Sequence, residues 1–82
     1  MDNRRDQRRR IFKGGKIVFD WGRSSIDCTI RDLSASGAAL TVENTIGIPA
    51  EFTLIIMRDN VAKACRVVWK EEKRVGVTFV QA

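Results

Sequence analysis

From Ser25 to Leu33 the chain reads SIDCTIRDL. Ile26, Cys28 and Ile30 fall on one side and Asp27, Thr29 and Arg31 on the other. A period of two marks a half-buried strand. The same alternation returns in AALTVEN, where Leu40 and Val42 alternate with Thr41 and Glu43. Four further runs are rich in β-branched and aromatic residues: GKIVFDW, EFTLIIM, VAKACRVVWKEE and VGVTFV. Between the runs stand turn formers: Gly22 with two serines, SASG, TIGIPA with the only proline, RDN, and the polar EEKR. No stretch keeps a helical period. The pattern predicts an all-β domain, a small six-stranded antiparallel β-barrel with little or no helix. Closure protects edges that so small a sheet would otherwise expose. Ile26, Cys28, Ile30, Leu40, Val42, Phe52, Leu54, Val67 and Phe79 are the expected inward set.

At 82 residues the chain is one domain with a modest core. Its 44% hydrophobic and 30% charged residues fit a globular protein. There is no histidine, which excludes histidine metal sites and Ser/His or Cys/His nucleophile pairs. Cys28 and Cys65 sit in apolar strand-like runs and read as buried, reduced thiols of a cytoplasmic protein. No apolar run approaches the ~20 residues of a membrane span, and the arginine-rich start is not a secretory signal.

Charge is the uneven property. Residues 1–16 hold seven basic and two acidic side chains, a net of +5, which is the net charge of the whole chain. The rest is neutral. The excess is concentrated in RRDQRRR, Arg4 to Arg10, and residues 1–12 read as a flexible basic arm ahead of a barrel spanning 13–82. An arm of this kind attracts anions. The second informative stretch is RDLSASGAAL, where Asp32, Ser34 and Gly37 show the spacing Asp-x-Ser-x-x-Gly. Taken alone it is an ordinary turn: Asp and Ser bond to nearby backbone amides, and Gly supplies positive φ or admits a close neighbour.

Taken together, arginines at Arg-x-x-x-Arg spacing, Asp-x-Ser-x-x-Gly after the second strand, and a closing CRVVWK and RVGVTF resemble the PilZ domain, a bacterial receptor for cyclic diguanylate (cyclic di-GMP). The resemblance covers nearly the whole chain. The C-terminal helix of many relatives has no counterpart after TFVQA, so the resemblance is to a minimal, stand-alone form. It implies ligand binding by Arg4, Arg5, Arg8 and Arg9 from the arm and by Asp32, Ser34 and Gly37 from the turn. A guanidinium forks onto phosphate oxygens and onto the O6 and N7 edge of guanine, and stacks on the base. A carboxylate accepts from guanine N1–H and N2–H. Ligand would then order the arm over the barrel and pass a signal to a downstream protein that the sequence does not identify. Both Arg4 with Arg8 and Arg5 with Arg9 satisfy the spacing, with a lean to the second pair. Arg10 reads as a solvated flank, and Trp69 as core or barrel rim.

Two other readings compete. A nucleic-acid binder would use the arm on phosphates, but the neutral body lacks a basic stripe and an interleaved aromatic set. An adaptor of the same fold that binds no nucleotide is the other. No acid/base or nucleophile constellation suggests an enzyme, and neither a cofactor nor a metal is expected.

Overall fold

A computed structural model of the chain describes residues 9–80, with side chains from Ile11 onward. These residues form six strands and no helix: β1 Arg9–Phe19, β2 Ser24–Leu33, β3 Gly37–Thr41, β4 Glu51–Ile56, β5 Val61–Lys70 and β6 Arg74–Phe79. They close into an antiparallel barrel in the order β1-β2-β3-β6-β5-β4. Four of the six seams join strands consecutive in sequence. The other two, β3 with β6 and β1 with β4, shut the barrel. The six expected strands are all present. Among the described residues Arg9 is already paired, opposite Leu33, so strand structure reaches back into the stretch read as arm, residues 1–12.

Alternation fills the interior. Ile17, Ile30, Leu40, Leu54 and Val75 are fully buried, one from each of five strands. Of the expected inward set, Cys28, Ile30, Leu40, Val42, Phe52 and Leu54 are buried. Ile26, Val67 and Phe79 are partly buried against the same cluster. The loop 42–50 packs against the β5–β6 turn. Thr45 is buried there and donates its hydroxyl to the Glu71 carbonyl at 2.6 Å. Ile48 adds its side chain to the core, and the Lys70 ammonium bonds the Ile48 carbonyl at 2.8 Å.

The turns follow their residues. Between β1 and β2, Asp20, Trp21 and Gly22 all have positive φ. Glycine adopts that region freely, whereas for a tryptophan it costs about 1–2 kcal/mol. Trp21 stands 94% exposed at this hairpin tip.

The register shifts in three places. β1 against β2 slips between Arg10 and Lys13, β2 against β3 between Ile30 and Asp32, and β5 against β6 between Val67 and Trp69. Each is a β-bulge, an extra residue that bends its strand and re-aims the side chains beyond it. The bulge in β2 breaks the strict alternation that the sequence suggests. Ile30 points in, Arg31 and Asp32 both point out, and Leu33 returns to pack on the core.

Both cysteines are buried and unbridged. Burial pushes the Cys28 thiol from an ordinary 9.0 up to about 12, with the Asp27 charge adding to the shift. Burial likewise raises Cys65 to about 11, against a hydrogen bond from the Leu54 backbone and the Lys63 charge. Above pH 9.0 the unfolded chain therefore releases thiol protons that the folded chain keeps. The thiol contribution to stability is complete below that pH and is lost as pH rises toward about 12. Urea denaturation of the wild type should show falling stability across this window. The fall should be shallower in Cys28→Ala, and equal slopes in the two proteins would contradict the burial of this thiol.

Candidate functional site

The β2–β3 hairpin carries the Asp-x-Ser-x-x-Gly stretch. Its turn is closed by the Ser34 amide donating to the Gly37 carbonyl at 2.9 Å. The Ser34 hydroxyl accepts from the Gly37 amide at 3.2 Å and from the Ser36 amide at 3.3 Å. Its oxygen also lies 3.3 Å from the Gly37 carbonyl. Ser34 is thus an internal brace of the turn. Gly37 does not use positive φ, which among the glycines is confined to Gly22 and Gly47. Its reason is close approach: a Cβ at Gly37 would overlap the Val77 backbone carbonyl of β6. Of the two reasons for a glycine here, the structure chooses the second.

Beyond the turn, cross-strand pairing draws one row of residues over the outside of the barrel. Asp32 pairs with Ala39, Ala39 with Gly76, and Gly76 with Trp69. Paired residues share a face. The bulge at Arg31 turns Asp32 outward at one end of the row, and the bulge at Val68 turns Trp69 outward at the other. The two middle residues are among the smallest available, so the row is a shallow trough with a carboxylate and an indole as its ends. A cleft of about 240 Å³ lies over it, bordered also by Ser34, Gly37 and Arg74. A wider opening of about 540 Å³ adjoins it between Ile11, Phe12, Arg31, Asp32 and Arg74.

Two guanidiniums stand over aromatic rings here. Arg31 lies 4.4 Å from the centre of the Phe12 ring and Arg74 lies 5.5 Å from that of Trp69. Cation–π contact holds each positive charge beside the cleft without burying it. Arg31, Arg74, Phe12 and Trp69 were not assigned to a site from the sequence. One signal was present for Trp69: the consecutive apolar residues Val67, Val68 and Trp69 cannot all satisfy a period of two, and such a run implies a bulge.

The last element is the start of β1. Arg10 pairs with Asp32 and Arg9 with Leu33. The arginine run therefore enters the barrel next to the Asp32 end of the trough. Arg10, read from sequence as a flank, is a strand residue in register with Asp32. Arg4, Arg5 and Arg8 lie outside the described residues, as do the side chains of Arg9 and Arg10. Among the described residues, Asp32, Ser34 and Gly37 are together on one hairpin, and no group of three or more His, Cys, Asp or Glu side chains could hold a metal ion.

The family model of the PilZ domain matches residues 2–82. The chain belongs to the PilZ family. Among curated proteins no relative matches it. PilZ membership accounts for the six-stranded barrel and places the chain in a family of ligand-binding and adaptor domains associated with cyclic di-GMP. No helix among the described residues is long and apolar enough to cross a membrane.

The Gly37 contact is testable without ligand. The overlap of an added Cβ is with backbone, which cannot swing aside. Gly37→Ala should therefore destabilise the PilZ domain by about 1–3 kcal/mol, as overpacking does elsewhere. Urea denaturation measures it, and an unchanged midpoint would mean that β3 and β6 do not meet this closely.

Proposed function

We propose that this PilZ domain is a cytoplasmic receptor for cyclic di-GMP, binding it between the arginine run and the outer face of β2, β3 and β6. The supporting observation is the register of Arg10 with Asp32. It brings Arg9 and Arg10, the last residues of the arginine run, onto the strand beside Asp32 at one edge of the trough. The chemistry of the ligand suits both sides. Its two phosphates call for charge-assisted, forked hydrogen bonds from arginine, and its guanines offer N1–H and N2–H to a carboxylate.

In this reading Arg5 and Arg9, with Arg4 and Arg8 beside them, supply the phosphate and guanine contacts. Asp32 reads a guanine edge. Ser34 holds the turn in shape at the rim of the cleft, and Gly37 lets β3 lie against β6 so that the trough is continuous. Arg31 and Arg74 add positive potential on the barrel side. Closure of the arm over the ligand is the conformational signal, an ordering transition that a downstream protein can read.

Calorimetry with cyclic di-GMP tests it. Arg5→Ala and Arg9→Ala should each lose about 1.5–3 kcal/mol of binding, roughly ten- to hundredfold. Arg5→Lys should fail nearly as badly, because an ammonium cannot make the planar fork. Asp32→Ala, its fold verified by thermal melting, should bind more weakly although it makes the protein more positive. Simple anion attraction predicts the opposite sign. The amides of residues 2–8 should exchange more slowly once nucleotide is added. A wild-type protein with no heat of binding would instead support a PilZ adaptor that takes no nucleotide.

A further inference from the structure

β2 is ten residues long and β3 only five. Pairing between them ends at Thr29 with Thr41. Residues 24–28 stay paired to β1 on one side, from Ser24 with Phe19 to Cys28 with Gly15, but on the other side β3 has already ended. The chain after β3 turns away. The Val42 amide bonds the Lys73 carbonyl at 2.9 Å, and the Thr45 amide bonds the Glu72 carbonyl at 3.2 Å. Those bonds tie the 42–50 loop to the β5–β6 turn rather than to β2. Among the described residues, β2 therefore begins with a short open edge, where alternate residues aim their N–H and C=O groups away from β1.

A cleft of about 630 Å³ opens along this edge. Its floor is apolar: Cys28 and Val42 are buried, and Ile26 packs partly on the core. Its rims are charged, with Asp27 on the β2 side, Glu43 on the loop side and Lys73 from the β5–β6 turn. Two large apolar side chains belong to the same segments and stand in water. Trp21 is in the hairpin that leads into β2, and Ile46, in the loop, is 85% exposed. Neither takes part in the core. Exposed apolar groups beside an open edge mark a contact surface. The place is distinct from the trough, since Asp27 and Asp32 are separated by roughly 16 Å of extended strand.

We propose that residues 24–28 take up an extended segment of a partner protein as an added strand, lying between β2 and the 42–50 loop. Main-chain hydrogen bonds to the open edge hold it, and its side chains alternate between two environments. Those turned inward meet Ile26, Cys28 and Val42 and are apolar. Those turned outward pass between Asp27 and Glu43, whose two negative charges exceed the one positive charge of Lys73, and are basic. Asp27 holds Lys16 at 2.8 Å, but both are exposed, and a pair of that kind is readily exchanged. A second copy of the chain does not suit the cleft. Its own edge is recessed behind its own loop, so two barrels cannot bring these edges together. The proposal does not rest on the receptor reading, and nucleotide is not needed to test it.

Two synthetic hexapeptides test it on the full chain, one alternating valine with lysine and one alternating valine with glutamate. In the free protein, amides at alternate positions among 24–28 should exchange rapidly with solvent, although they lie in a strand. The valine–lysine peptide at millimolar concentration should protect them, with NMR shifts confined to 24–28 and 42–46. The same peptide methylated on its backbone nitrogens should lose about tenfold or more, because its side chains remain and its main-chain donors do not. Asp27→Lys, an exposed change that leaves the core untouched, should weaken the valine–lysine peptide about two- to fivefold and strengthen the valine–glutamate one. Uniformly slow exchange over 24–28 in the free protein would show an edge already covered and overturn the proposal. So would the absence of binding, binding indifferent to methylation, or shifts gathered on the arginine run, which would be charge attraction alone.

Discussion

The structure depends on one seam. β3 is only five residues long, yet it must join the β1–β2 hairpin to the β5–β6 hairpin, and it does so by lying so close to β6 that Gly37 has no room for a side chain. The contact is non-local, with Gly37 paired to Thr78 across much of the chain. Nothing in the local turn requires it. Without that seam the barrel would be an open sheet with two bare edges, and Asp32 and Trp69 would belong to separate hairpins. The same contact therefore closes the core and assembles the trough. That is why the glycine of the Asp-x-Ser-x-x-Gly stretch has a folding role here that is independent of any ligand.

Much of the barrel is legible in the sequence because alternation is a strong signal when one face is buried. Ile30, Leu40 and Leu54 were placed from the pattern and are completely enclosed. The site is less legible, for a reason that particular residues show. Strict alternation would turn Asp32 into the core. A bulge at Arg31 turns it out, and in a run of two polar residues such as Arg31 and Asp32 the extra residue leaves no mark on the hydrophobic pattern. At Val68 it does leave a mark, because three apolar residues in succession cannot share a two-residue period. The arginines illustrate a different limit. Their number and spacing are plain in the sequence, but their relation to Asp32 is a matter of register between strands, and register is set by the whole barrel rather than by either segment.

The bulges also explain how a small barrel makes a concave face. A closed six-stranded surface is convex, and side chains on it diverge. Small residues at Ala39 and Gly76 lower the middle of the row, and the bulges at Arg31 and Val68 raise its ends by adding an outward residue on each flanking strand. The interior is undisturbed, since Leu33 and Val67 resume inward packing on either side. Concavity is obtained from register shifts in strands that remain part of the core.

Electrostatics divides along the same line. The excess positive charge belongs to the N-terminal sixteen residues and the remainder is neutral, so long-range attraction and short-range shape come from different parts of the chain. The described cations at the trough, Arg31 and Arg74, are held over Phe12 and Trp69. Both are exposed pairs, so they are easily exchanged: a phosphate can take the guanidinium, and a base can take the ring face. A ligand with both groups gains twice from each pair, whereas a simple anion gains only from the cation and leaves an apolar ring to water. In the receptor reading proposed above, discrimination between a nucleotide and an inorganic anion would begin in these cation–π pairs, before any hydrogen bond to Asp32.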